Sequence, residues 1–289
     1  MRLSMTLPTM AGGIDQGLLR DWCQAVDEGP FHALAVGERI GFDNLEMHTT
    51  LTFAAAATER VRLASTLTIL PMYATAWAAK SLATLDVVSD GRLDLVVGVG
   101  GRRHDYDRAE RSFVGRHQRL DDQVVELRRI WAGGDVDGVP VGPAPVQSGG
   151  PPIFASAMGP KSTARAARWA DGNMGFSLAP DTDDHEMSIR TMVDAWVAAG
   201  RVERPYVSTS FWYSLGDRAA AELNGYAHRY LGIFGDEVAA MMASMCSAAG
   251  AEATLASIER CRAAGMDELY LVPTSPDPGH LSKLIDLIT

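Results

Sequence analysis

Short apolar runs alternate with amphipathic stretches along the chain. Residues 3–7, 33–36, 63–70, 93–99, 153–155, 172–177, 207–213 and 268–272 are mostly apolar or β-branched and read as strands. Between them, apolar positions recur every three or four residues, the spacing of a helix with one buried face. Trp22, Cys23 and Val26 mark such a face in 18–26, Leu120, Val124, Leu127 and Ile130 in 118–131, and Met187, Val193 and Trp196 in 181–199. The segment between turns at Pro71 and Ser89-Asp90-Gly91 carries Trp77, Leu82, Leu85 and Val88 at helical spacing. Further helices are expected over 49–58, 162–170, 219–230, 238–264 and 280–288, with breaks at Gly232, Gly235 and Gly250. Trp77, Trp131, Trp169 and Trp196 fall on helix faces and are assigned to the core. Residues 132–152, rich in Gly and Pro, read as a long loop.

The run at 93–99 is continuous apart from Asp94, which suits a parallel strand covered on both sides. With 63–70 and the helix between them it makes a βαβ unit. Eight strands alternating with helices over 289 residues define an α/β chain. The expected architecture is a single (β/α)8 TIM barrel spanning residues 1–289, with insertions after strands. A doubly wound open sheet is the alternative. Against it, Pro8-Thr9-Met10 follows the first strand, where a dinucleotide fold carries G-x-G-x-x-G. In a barrel, chemistry collects where the strands end, near Leu7, Glu38, Thr66, Gly100, Met158, Phe176, Tyr213 and Pro273. Gly98-Val99-Gly100-Gly101 removes side chains from one of these ends. It either forms a plain turn or leaves a flat ligand room against bare backbone.

Charge and cysteine content exclude some classes. A formal net charge of −10 argues against nonspecific nucleic-acid binding. No apolar run is long enough to span a membrane, and Met1-Arg2 leads straight into a strand, so neither an anchor nor a signal peptide is expected. Cys23, Cys246 and Cys261 cannot all pair and have no metal-ligand spacing, which fits a reduced, cytoplasmic setting and no metal site.

Three stretches carry a family resemblance: LAVGERIGFDNLEM at 34–47, RVRLASTLTILPMYATAWAAKSLATLDVVSDGRLDLVVGVGGRRHDY at 60–106, and SAMGPKSTARAARWADG at 156–172. Together they are similar to the bacterial-luciferase-like flavin and deazaflavin oxidoreductases. TLPTM, VGERI, GVGGR and GPKS resemble the coenzyme F420-dependent branch. The resemblance implies a TIM barrel that holds an isoalloxazine or deazaflavin ring at its C-terminal mouth. Thr66-Leu67 falls where the family places a non-proline cis peptide behind the ring, the alternative being an ordinary trans strand. Gly98, Gly100 and Gly101 would approach the ring or its ribityl chain. Met158, Gly159, Pro160, Lys161, Ser162 and Thr163 would hold the phosphate through free N–H groups, hydroxyls and the Lys161 charge. In the simpler reading Ser162 only caps the helix and Lys161 is solvated. Lys161, Arg165 and Arg168 lie three and four residues apart, so they share a helix face that would attract the anionic F420 tail.

Two departures bear on chemistry. Many relatives follow the acidic residue at the end of strand two with histidine, whereas here the pair is Glu38-Arg39. Arginine stays protonated and is a poor general acid, so Arg39 is expected either to anchor or polarise a substrate or to pair with Glu38 or another carboxylate. Relatives acting on glycosylated substrates carry glutamate after the strand-four glycines, at the position of Gly101, so sugar-phosphate oxidation is not expected. His48 and Tyr106 are the remaining proton-transfer candidates, each with a packing role as its alternative. His117 and His185 lie within helices and are assigned to the surface, while one residue among 211–213 is expected to close the substrate pocket. The resemblance thus implies hydride transfer between F420 and a small organic substrate, in a homodimer with no nucleic-acid or membrane partner. An FMN-dependent monooxygenase and a non-catalytic flavin- or metabolite-binding barrel are the alternatives.

Overall fold

The computed structural model describes residues 1–289. Its strands are β1 (Arg2–Thr6), β2 (Ala33–Val36), β3 (Arg62–Thr68), β4 (Leu93–Val97), the short β5 (Asp135–Val136) and β6 (Val139–Pro140), β7 (Ile153–Ala155), β8 (Gly172–Met174), β9 (Tyr206–Tyr213) and β10 (Glu268–Pro273). Eight of them, all parallel, close into a barrel in the order β1-β10-β9-β8-β7-β4-β3-β2. Because β1 pairs with both β2 and β10, the open sheet is excluded. The helices are α1 (Gln16–Glu28), α2 (Met47–Ala57), α3 (Thr75–Val88), α4 (Arg103–Arg108), α5 (Arg116–Trp131), α6 (Pro160–Ala166), α7 (Thr182–Ala198), α8 (Ala219–Leu231), α9 (Asp236–Ser244), α10 (Ala251–Ala263) and α11 (Pro278–Ile288). None is long and apolar enough to cross a membrane.

The apparently continuous apolar strands hide an alternation of size. Ala33, Ala35, Ala64, Val96, Met174 and Tyr270 point into the barrel, where small side chains are needed to fit eight strands around one axis. Their neighbours Leu34, Val36, Leu63, Leu95, Phe211 and Tyr213 point outward into the larger core between strands and helices. Asp94 faces the interior at the opposite end from the expected chemistry. There Arg62 grips it through Nε and Nη2, each at 2.6 Å. The 132–152 loop, with β5 and β6 paired as a small hairpin, is held by another buried acid. Asp86 on α3 accepts from the Val146 amide at 2.8 Å, the Gln147 amide at 3.0 Å and the Gln147 side chain at 2.7 Å.

Some helix faces differ from expectation. Trp131, Trp169 and Trp196 are core residues, but Trp77 is 67% exposed and Val88 49% exposed. The buried face of α3 is instead Ala78, Ala79, Leu82, Ala83 and Leu85, because the alanines permit close packing of neighbouring helices and leave Trp77 outside. His185 is buried rather than superficial, with Nε2 3.5 Å from the Cys261 thiol on α10. Burial lowers the His185 pKa and raises that of Cys261 to about 12, so the contact joins two neutral groups.

Between β9 and α10 the chain inserts α8 and α9. Leu223, Tyr226, Ala227 and Leu231 of α8 and Ala239 and Ala243 of α9 form a separate cluster with Met10 and Trp212. The insertion thereby roofs the C-terminal mouth of the barrel.

Candidate active site

The floor of the mouth is the junction of β3 and β4. The Thr66-Leu67 peptide is cis, and the register of β3 against β4 shifts between Thr66 and Thr68. The Leu67 side chain lies 3.0 Å from where a Cβ on Gly98 would stand, and the Thr66 carbonyl oxygen 3.3 Å from that on Gly37. Gly100 has φ +60°, and a Cβ there would lie 3.1 Å from Ile69. Gly98 and Gly100 are therefore required by the protein's own packing. Gly101 differs: nothing lies within 4 Å of its Cβ position, so that glycine opens outward.

Of the two roles expected for Arg39, the ion pair with Glu38 or another carboxylate does not form. Glu38 turns toward the segment after β3, where Tyr73 Oη donates to Oε1 and the Ile69 amide donates to Oε2 at 2.5 Å. Burial is the largest influence on its pKa and, despite those two bonds, pushes it up to about 7. His48 packs on the same Tyr73, ring centroids 5.4 Å apart. Burial holds the His48 pKa below that of free imidazole, and its Nε2 is enclosed without a hydrogen-bond partner. Thus Glu38, Tyr73 and His48 form one polar group, and Tyr73 is the member that sequence reasoning passed over.

Arg39 turns the other way, into the roof. Its guanidinium lies 4.1 Å from the Phe42 ring centroid and 4.8 Å from that of Tyr230, and Nη1 donates to the Tyr230 carbonyl at 3.1 Å. Tyr230 packs edge-on against Trp212 at 5.1 Å, and Trp212 against Phe176 at 4.6 Å. Of the three residues considered for closing the pocket, Trp212 is the one in the roof, while Phe211 and Tyr213 join the outer core. Tyr226 and Tyr230 were not singled out from the sequence. Their separation of four residues on α8, which puts both aromatics on one face, was the available signal.

Tyr106 is fully buried and donates to the Val99 carbonyl at 2.5 Å. Burial pushes its pKa up to about 12, so it braces the glycine loop from beneath as a neutral phenol. On the other flank, a small cleft of about 40 Å³ opens at the ends of β4 and β7. Val99, His117, Asp121, Ser156, Ser162 and Arg165 are among its lining, so His117, although exposed, belongs to this cleft. Ser162 and Thr163 both donate to the Gly159 carbonyl, at 2.8 and 3.0 Å, and Ser162 Oγ accepts from the Gly159 amide. Their hydroxyls therefore close the first turn of α6. Met158 is 75% exposed, Pro160 stands at the first helical position, and Lys161 is solvated. The expected cationic face is offset by one negative charge, because Arg165 and Arg168 both reach the single Asp121 carboxylate.

Residues 3–271 match the model of the luciferase-like monooxygenase family, and the chain belongs to that family. Among curated proteins it is 28% identical over 153 residues to the oxygenase component of the flavin-dependent trigonelline monooxygenase of Acinetobacter baylyi, covering 48% of this chain and 42% of that protein. The chain spans about half the length of the curated relatives it matches. Among solved structures, the monooxygenase RslO1 of Streptomyces bottropensis superposes with TM-score 0.79 at 23% identity, covering 99% of this chain and 97% of that one. An F420-dependent secondary alcohol dehydrogenase bound to an F420–acetone adduct superposes with TM-score 0.79 at 19% identity, covering 100% and 98%. At these identities the two structures establish a shared fold. The mouth fits a flavin- or deazaflavin-type ring: it offers a bulged floor, an outward-opening Gly101 and an aromatic roof.

Proposed function

We propose that this protein is an F420-dependent oxidoreductase that exchanges a hydride between the deazaflavin and a small, largely apolar organic substrate. The observation that carries this reading is Glu38, a carboxyl at the strand-end layer whose pKa is pushed up to about 7. Oxidising an alcohol to a carbonyl releases a proton as well as a hydride, and a group titrating near neutrality is suited to accept it. When bound, the cofactor supplies the hydride-accepting carbon. The chain's own residues orient and enclose. Thr66, Leu67 and Gly101 would set the plane of the ring, the amides at the start of α6 would take its phosphate, and the α8–α9 roof would exclude water. Glu38, with Tyr73 on Oε1, would hold the proton. A homodimer acting on a small molecule is part of the same reading.

The FMN-dependent monooxygenase is the second reading, and one observation favours it. With Arg165 and Arg168 both drawn toward Asp121, part of the positive charge near the α6 terminus is offset, which weakens its attraction for the long anionic tail of F420. Titration of the purified protein with F420 and then with FMN, followed by fluorescence quenching, separates the two. Tighter F420 binding, weakened by salt, is the expected result. Tighter FMN binding with substrate-dependent oxygen consumption would overturn it.

A further inference from the structure

Two guanidiniums lie against the ring of Tyr230. Arg39, from the end of β2, lies 4.8 Å from its ring centroid, and Arg102, from the loop after β4, lies 5.0 Å from it. Neither has a carboxylate partner. Arg39 is 8% exposed, and its one hydrogen bond goes to the Tyr230 carbonyl. The Nε atoms of Arg39 and Arg102 are both enclosed without an acceptor. Arg229 stands next to them over Phe42 and Tyr226 but is committed to the Met10 and Ala11 carbonyls. The nearby carboxylate, Asp105, is buried and accepts from the Gly41 amide at 2.8 Å through Oδ1; its Oδ2 is enclosed without a partner, so its single charge offsets part of the two guanidiniums without bonding either.

The arrangement is poor in stability terms. Aromatic faces return only a fraction of what burying an unpaired guanidinium costs. Burial, followed by repulsion from Arg102, lowers the pKa of Arg39. Two guanidiniums gathered at the barrel mouth against one carboxylate leave that face positive until an anion arrives. Resting on the reading that this mouth is the active site, we infer that Arg39 and Arg102 bind the carboxylate of a substrate whose apolar or aromatic body lies against the half-exposed Phe42 and Tyr230. A carboxylate suits the site because it is planar and singly charged, so its desolvation among aromatics costs less than that of a dianionic phosphate. The cofactor phosphate is not the partner. The barrel order β2-β3-β4-β7 puts Arg39, after β2, across the β3 bulge from α6, after β7.

The test uses 3-phenylpropanoate, its amide and inorganic phosphate as probes, titrated calorimetrically into the wild-type protein and the Arg39→Met and Arg102→Met variants. Methionine keeps the apolar packing, and Arg102, being half-buried, remains informative if Arg39→Met fails to fold. Expected are propanoate affinity about tenfold or more above that of the amide on the wild type, loss of that preference in either variant, and FMN and F420 affinities unchanged within about twofold. Equal binding of acid and amide, no propanoate binding, tighter binding of phosphate, or variants that lose cofactor affinity would each overturn the inference. A wild-type protein that binds neither cofactor would refute the proposed function instead, while the acid–amide comparison on the same sample still decides this question.

Discussion

The Tyr73 hydroxyl donates to the Glu38 carboxylate, joining the end of β2 to the turn that follows β3. The pair places the one near-neutral titrating carboxyl of the mouth on a fixed phenol, with the Ile69 amide on its other oxygen. Such anchoring orients the acid without a cation beside it.

Glu38 should make stability depend on pH in a definite direction. Its pKa rises from an ordinary 4.5 to about 7 in the folded protein, so the folded state binds the proton more tightly. The stability it contributes is fully present below pH 4.5 and is lost as pH climbs to about 7. At about 1.4 kcal/mol per pH unit, the loss is roughly 3 kcal/mol at most. Glu38→Gln, which cannot ionise, should remove this slope. Urea midpoints of both proteins at pH 4.5, 6 and 7.5 provide the check; parallel curves would contradict it.

The two kinds of glycine in the loop after β4 should respond differently. Gly98→Val places methyl groups on Leu67 and should cost about 1–3 kcal/mol of stability. A Cβ on Gly101 meets no protein atom within 4 Å, so Gly101→Trp should melt close to the wild type yet weaken cofactor binding about tenfold or more by filling the space outside the loop. A folded Gly101→Trp protein with unchanged cofactor affinity would remove that loop from the site.

Asp121 should govern discrimination between cofactors. Asp121→Asn frees Arg165 and Arg168 beside the cleft at α6, so affinity for F420 should rise relative to FMN and become more salt-sensitive. Asparagine keeps an amide oxygen that can still accept from the Trp169 indole N–H, now 3.0 Å from Asp121 Oδ1, so stability should change by less than about 1 kcal/mol. Identical cofactor ratios in the two proteins would show that the cations do not face the tail.

Much of the barrel was legible in the chain because parallel strands and amphipathic helices impose their periods on it, and those periods depend on neighbours in sequence. The family stretches likewise located Thr66-Leu67, Gly101 and the α6 turn. What could not be read was which side chain meets which. Glu38 and Arg39 are adjacent in sequence and looked like a pair, but successive positions leaving a strand point to opposite sides, so one reached Tyr73 and the other Tyr230. Lys161, Arg165 and Arg168 formed a cationic face on paper, and only the docking of α5 brought Asp121 against two of them. Trp77 followed the helical period yet lies outside, because periodicity defines a face without saying what covers it. The sequence by itself determined the barrel, the family and the order of the strand ends around the mouth. The tertiary structure decided the partners of each charge and the aromatic roof, since contacts between residues tens to hundreds of positions apart depend on chain closure that no local pattern records.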